Sequence, residues 1–309
     1  MATKKVKKST SKKVAEAKAA VAAVDAATVI PKETAKESKV RADAPVATPM
    51  TEPELQRLRK MNLWLALAFG VQAIAVVLFG GSKAVPVIVN YLAPDQLASE
   101  INGHEVLGVA SRHIADLRLT VVAAGFLVLF GLASLALATV GRAHYEARLK
   151  RGSNMGRWLA FGLGGGGMIV ALALESGIYS IATLLVLFVS MLMCGAFEPL
   201  AEKFKATETK NPVLAHAMCA AALVAGLVPW VVFAIGVVGA LAWNGKIPGT
   251  LYFMYGTTFV LLLCWLMGTH FRVTKRGKWT DTLYAEKMYM FLTLASATVL
   301  AWQIFAGAI

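Results

Sequence analysis

Residues 118–140 read RLTVVAAGFLVLFGLASLALATV, and after Arg118 the run holds no charged side chain. As a helix rising ~1.5 Å per residue it spans a ~30 Å hydrocarbon core. A soluble helix of that length needs a polar face, and this run has none. Six more stretches read the same way, at 61–81, 157–174, 178–197, 213–243, 250–270 and 288–308. The 157–174 stretch is the weakest because of its glycines, and 213–243 is long enough to tilt or protrude. The expected fold class is an all-α membrane protein, a seven-transmembrane-helix bundle. None of the seven stretches carries a lysine or a carboxylate in its apolar core.

Composition agrees. Of 309 residues 57% are apolar and only 16% charged, and the mean hydropathy is +0.62. That is too little charge to cover a soluble domain. The formal net charge of +13 is uneven: residues 1–50 hold ten Lys, Arg41 and five acids, for a net +6. This Lys/Ala-rich segment lacks aromatics and apolar periodicity, so a disordered basic tail is expected over 1–50 and the membrane domain over 51–309. No apolar h-region follows the first lysines, so the start does not read as a signal peptide. Thr51–Arg59 reads as a capped helix start.

Loop charge sets the expected orientation. The tail, the second loop (Arg142, Arg148, Lys150, Arg151), the fourth (Lys203, Lys205, Lys210) and the sixth (Arg272, Lys275, Arg276, Lys278) are basic; the others are not. Alternation at every loop places the N-terminus in the cytoplasm and the C-terminus outside. The only long loop, about 82–116, carries a strand-like Ala84–Tyr91 and is expected to form a hairpin. The seven tryptophans read mostly as interfacial anchors. Cys194, Cys219 and Cys264 read as small apolar core residues. The five histidines have no metal-ligand spacing, so no metal site is expected.

No soluble-enzyme motif is present, and no paired acid, base or nucleophile lies in a span; the chain does not read as an enzyme. Gly164–Gly167 lacks the GK[ST] of a phosphate loop. Gly162 and Gly166 form a GxxxG pair, read first as close helix packing, with room for an apolar ligand or a hinge as the alternatives. Arg157 opens the third span, Glu175 ends it and Glu198 lies at the end of the fourth, so nothing ionisable occupies a midplane. A proton relay needs such groups in series.

The C-terminal third is more specific. It reads Gly277-Lys-Trp279-Thr-Asp281-x-x-Tyr284-x-Glu286-x-x-Tyr289 and ends in Leu300-Ala-Trp-Gln-Ile-Phe-Ala-Gly307. With Arg157-Trp158 and Pro229-Trp230, this resembles the heliorhodopsins, a retinal-binding branch of the microbial rhodopsins, over about residues 57–309. The resemblance implies a rhodopsin-like bundle with an inward N-terminus. It also implies a chromophore lysine five residues before Trp302 and a counterion glutamate three residues after Arg157. Those positions are Ala297 and Ala160, and Phe161 stands at the family's following tyrosine. Two family histidines fall on Phe69 and Ser134, and a serine one turn before the lysine is Thr293. Arg157, Trp158, Phe161, Thr293, Pro229, Trp230 and Trp302 are then expected remnants of the pocket.

A Schiff base needs an amine and a buried carboxylate needs its cation, so joint loss of the two is physically coherent. The expectation is no covalent cofactor, with non-covalent retinal or another apolar ligand left open. The first functional reading is binding or signalling through a cytoplasmic protein partner, with a homodimer using the first loop. The alternative is a scaffold whose basic tail binds anionic lipid or nucleic acid. A further alternative is a working retinal light sensor. Epitope tags at the N-terminus and in the 272–278 loop are expected to report the cytoplasm, and a tag after Ile309 the outside; two termini on one side would refute seven spans.

Overall fold

The computed structural model describes residues 50–151, 155–207, 213–243 and 245–308. The basic tail expected over 1–50 lies outside these, apart from Met50. Seven described helices are long and apolar enough to cross a membrane. They are α1 (Glu52–Phe79), α3 (Leu119–Ala138), α5 (Met155–Glu175), α6 (Ile181–Thr207), α7 (Val213–Ala242), α8 (Gly249–Val273) and α9 (Thr282–Ala308). All seven expected spans are present, and three of them reach well beyond their apolar runs at the end that carries the basic loops. There α1 begins nine residues early, α9 six residues early, and α6 runs ten residues past 197. Hydropathy hides these turns because they carry charge: Glu202 of α6 and Glu286 of α9 are buried against arginines, while the charges at the start of α1 stay largely exposed.

Local chemistry fixes the ends. Ahead of α1 the Thr51 backbone N–H donates to Glu54 Oε2 at 2.8 Å, and Pro53 occupies the first turn. The connections that follow α5 are short, so the helices they join run antiparallel. The loop between α3 and α5 holds a short helix, α4 (Arg142–Leu149), whose Tyr145 and Leu149 are buried. A 3₁₀ turn (Gly277–Thr280) precedes α9, with Lys275 and Gly277 at φ 54° and 56°.

The expected hairpin is present at the opposite end. Strands β1 (Ala84–Pro94) and β2 (Leu107–Arg118) pair antiparallel, joined by α2 (Gln96–Asn102). A register shift falls at Val87/Ile88. There the Ile88 N–H donates to the Tyr179 carbonyl at 3.0 Å, tying the hairpin to the α5–α6 turn. Lys83 Nζ adds an ion pair to Glu175 at 2.9 Å.

Glycines set how closely α5 and α6 approach. A Cβ at Gly195 would lie 2.7 Å from the Trp158 carbonyl oxygen and 2.9 Å from Gly162 Cα, and one at Gly166 would lie 2.7 Å from the Phe188 ring. A Cβ at Gly164 would collide with Phe130. The packing reading of the Gly162/Gly166 pair is therefore the one the structure supports.

Two other expectations need correction. Trp158 and Trp265 are 1% exposed and belong to the core, as does part of Trp230. Trp64 and Trp243, 70% and 83% exposed, do lie on the outer surface. Of the cysteines only Cys194 is buried; Cys264 is exposed on the outer face of α8.

Gly195→Ala should destabilise the bundle by about 1–3 kcal/mol, because backbone atoms cannot yield to the methyl. Gly236→Ala, with open space around its Cβ, should be neutral or gain up to about 1 kcal/mol. Thermal unfolding of both variants in detergent checks the contrast.

Candidate functional site

A cavity lies in the apolar middle of the bundle. Its walls are Phe130 of α3, Phe161, Gly165 and Met168 of α5, Met191 of α6, Trp230 of α7, Thr258 and Trp265 of α8, and Thr293 and Ser296 of α9. Its free volume is about 30 Å³, room for one or two water molecules. Aromatic side chains do the filling. Phe161 stacks on Trp265 with ring centroids 4.0 Å apart and planes at 18°. Trp265 in turn packs on Trp158 at 4.9 Å and on Tyr289 at 4.8 Å. Such pairs add about 0.5–1.5 kcal/mol each beyond the area they bury.

The polar atoms of the cavity look inward to their own helices. The Thr293 hydroxyl donates to the Tyr289 carbonyl and the Ser296 hydroxyl to that of Leu292, both at 2.7 Å. The indole N–H groups of Trp230 and Trp265 have no acceptor.

Of the expected pocket remnants, Phe161, Trp230 and Thr293 line the cavity. Ala297 is completely buried and Ala160 is 6% exposed, but neither borders the free volume. Pro229 is buried within α7. Trp158 stands behind Trp265. Trp302 is 41% exposed, and its indole N–H donates to Gln72 of α1 at 3.2 Å, so it belongs to the outer surface instead. Phe69, completely buried, stacks on Phe130 at 5.6 Å, and Ser134 is 2% exposed.

Arg157 is drawn elsewhere. Its Nη2 donates to Asn62 Oδ1 at 2.8 Å and lies 3.5 Å from Glu286 Oε2. Tyr145 of α4 donates its hydroxyl to the same Glu286 oxygen at 2.7 Å. Burial pushes the Tyr145 phenol well above its ordinary range, and the charge of Glu286 adds to the effect. A second pair, Arg272 Nε to Glu202 Oε1 at 3.1 Å, joins α8 to α6. The expected sixth-loop Arg272 is thus a buried helix residue, and Glu198 lies well inside α6 at 1% exposure rather than at its end. These charges form a polar layer near the basic loops; the apolar middle stays free of them, as expected.

The sequence reading missed Glu286, Asn62 and Tyr145 as a group. Asn62 was the visible signal, a polar residue interrupting the first apolar run. It also missed Trp265 and Met168, whose positions inside spans do not by themselves separate core from lipid.

Fold and cavity define a multi-pass membrane protein of the seven-helix, rhodopsin-like class. The chain resembles the crystal structure of a cyanorhodopsin from the cyanobacterium Tolypothrix, with a TM-score of 0.50 at 11% identity, over 83% of this chain and 95% of that one. A light-driven proton pump from Leptosphaeria maculans superposes with a TM-score of 0.42 at 12% identity, over 82% and 92%. At such identities the likeness is one of fold alone. No curated protein matches. The heliorhodopsin family model matches residues 58–309, and the chain belongs to that family.

The polar layer makes a quantitative expectation. Glu286→Leu alone strands the Arg157 guanidinium and should cost about 3–5 kcal/mol. Adding Arg157→Met should recover much of that loss, since an apolar pair of similar volume removes both desolvation costs. Thermal midpoints of the single and double variants, compared in one detergent, decide it.

Proposed function

We propose that this member of the heliorhodopsin family holds no retinal through a Schiff base and acts in binding or signalling rather than as an ion pump. One observation carries the reading: among the described residues no lysine is buried. Lys60 and Lys203 are exposed. Lys287 of α9 is half-buried, in electrostatic range of Glu54 at the basic end of α1. It precedes Ala297 by ten residues, or about 15 Å along the helix, and its chain snorkels toward that end.

The cavity supports the same reading. A covalently attached polyene does not fit these residues: position 297 offers a methyl, position 160 offers no carboxylate, and the Phe161–Trp265 stack leaves about 30 Å³ free. An apolar ligand would have to part that stack. Against pumping stands the distribution of charge. The buried layer of Arg157, Glu198, Glu202, Arg272 and Glu286 ends below the cavity, and among the described residues the only carboxyl at the hairpin end that is not exposed is Glu175, paired with Lys83. A proton route needs groups in series between them. With its interior closed, the protein is left its basic face and its hairpin for contact with partners, and the Tyr145–Glu286 bond ties the basic-face helix α4 to the bundle.

Purified protein mixed with all-trans retinal should show no red-shifted band. Ala297→Lys with Ala160→Glu should approach a visible pigment more closely than Ala297→Lys alone, because a lone buried amine loses its proton. A red-shifted, borohydride-trappable adduct in the unmodified protein would overturn the proposal.

A further inference from the structure

Nothing above gives Glu198 a role beyond its place in the buried layer. It lies on α6 at 1% exposure, and its Oε2 has no hydrogen-bond partner. The other two carboxylates of the polar layer each face an arginine, Glu286 with Arg157 and Glu202 with Arg272. Among the described residues Glu198 forms no ion pair.

Its neighbours come from every helix around it. Cys194 and Glu202 stand one turn away on α6 itself. From α8, the Thr269 hydroxyl lies near the carboxyl, and Arg272 turns its Nε to Glu202. From α9 comes Tyr289, whose hydroxyl lies 3.4 Å from that of Thr269. From α5, the Trp158 carbonyl lies against Gly195. From α7, His216 and Cys219 reach the same end of the bundle, His216 with its ring 6.3 Å from that of His270. A carboxylate here would be a second negative charge one turn from Glu202, without a cation of its own. Burying such a charge costs far more than binding a proton.

We propose that Glu198 is a proton-binding site: the folded bundle holds it as the neutral acid, and loss of that proton loosens the last turns of α6. The chain around it is built to respond. Pro199 follows directly and has no N–H to give the Gly195 carbonyl, so the helix is weakened at this turn. At Gly195 the backbone of α6 lies against that of α5. Beyond that break the last turns of α6 carry Glu202 and its bond to α8. Ionised Glu198 would repel Glu202 and loosen that bond. One proton passes between solvent and carboxyl; no other bond is made or broken.

The test is infrared spectroscopy of the whole chain in lipid nanodiscs at neutral pH, with glutamate labelled by ¹³C at the side-chain carboxyl. The expected result is a protonated-carboxyl C=O band that moves with the label and in D₂O, disappears in Glu198→Gln and persists in Glu202→Gln. Absence of the band in wild type, or its survival in Glu198→Gln, overturns the proposal. Should the Gln variant not fold, Glu198→Asp replaces it: the labelled glutamate band must vanish, and its persistence overturns the proposal. Linkage gives the second readout. A proton held in the folded state and released on unfolding makes stability fall as pH rises. The thermal midpoint of wild type should therefore fall relative to Glu198→Gln from neutral to mildly alkaline pH, and parallel curves would overturn the proposal.

Discussion

In a bilayer, apolar side chains gain nothing by leaving lipid for one another, so seven helices cohere only through close packing and buried polar contacts. The two devices lie side by side here. Backbone meets backbone where Gly195 of α6 lies on Gly162 and the Trp158 carbonyl of α5. Toward the basic loops, Arg157, Asn62 and Glu286 join α5, α1 and α9, while Arg272 and Glu202 join α8 and α6. The aromatic group of Trp158, Phe161, Trp265 and Tyr289 packs beside both.

That arrangement leaves the middle of the bundle, among the described residues, without a buried charge. A buried amine and its counterion would draw water and polar partners to the middle of the helices. With alanine at 160 and 297 and phenylalanine at 69 and 161, the interior closes on rings and thioethers instead. Met168 and Met191 on the cavity wall are the side chains best suited to such irregular space. The polar layer does not rely on the cavity for any of its contacts and keeps its own hydrogen bonds.

Much of the fold was legible in the sequence. Apolar runs mark the lipid-spanning parts because lipid imposes one uniform demand on them. The hairpin was legible from the β-branched run near Val85–Val89. The ends of the helices were not. Turns such as 52–60 and 198–204 are helical in spite of their charge; Glu52 pairs with Lys150 and Glu202 with Arg272, both far off in sequence. The α4 helix was hidden for the same reason: Tyr145 is placed by Glu286, which lies 141 residues away. At the candidate site, the family string located Ala297, Ala160 and Phe161. It could not say which of the seven tryptophans are core, because hydropathy does not distinguish a ring facing lipid from one facing another ring.

The hairpin's attachment has a consequence for the order of assembly. Lys83 and Glu175 are 92 residues apart, and the Ile88 N–H waits on the Tyr179 carbonyl in the same turn. A ribosome delivering the chain from its N-terminus makes both strands of the hairpin and three membrane helices before that turn exists. Until then the bulged edge of β1 at Ile88 is an open strand edge, the kind of surface that invites mispairing. The bulge shortens the exposure, because it gives the edge a single hydrogen-bonding address rather than a row. The α5–α6 turn thus closes the first third of the molecule as it emerges, and a chain truncated before Tyr179 would leave that edge uncapped.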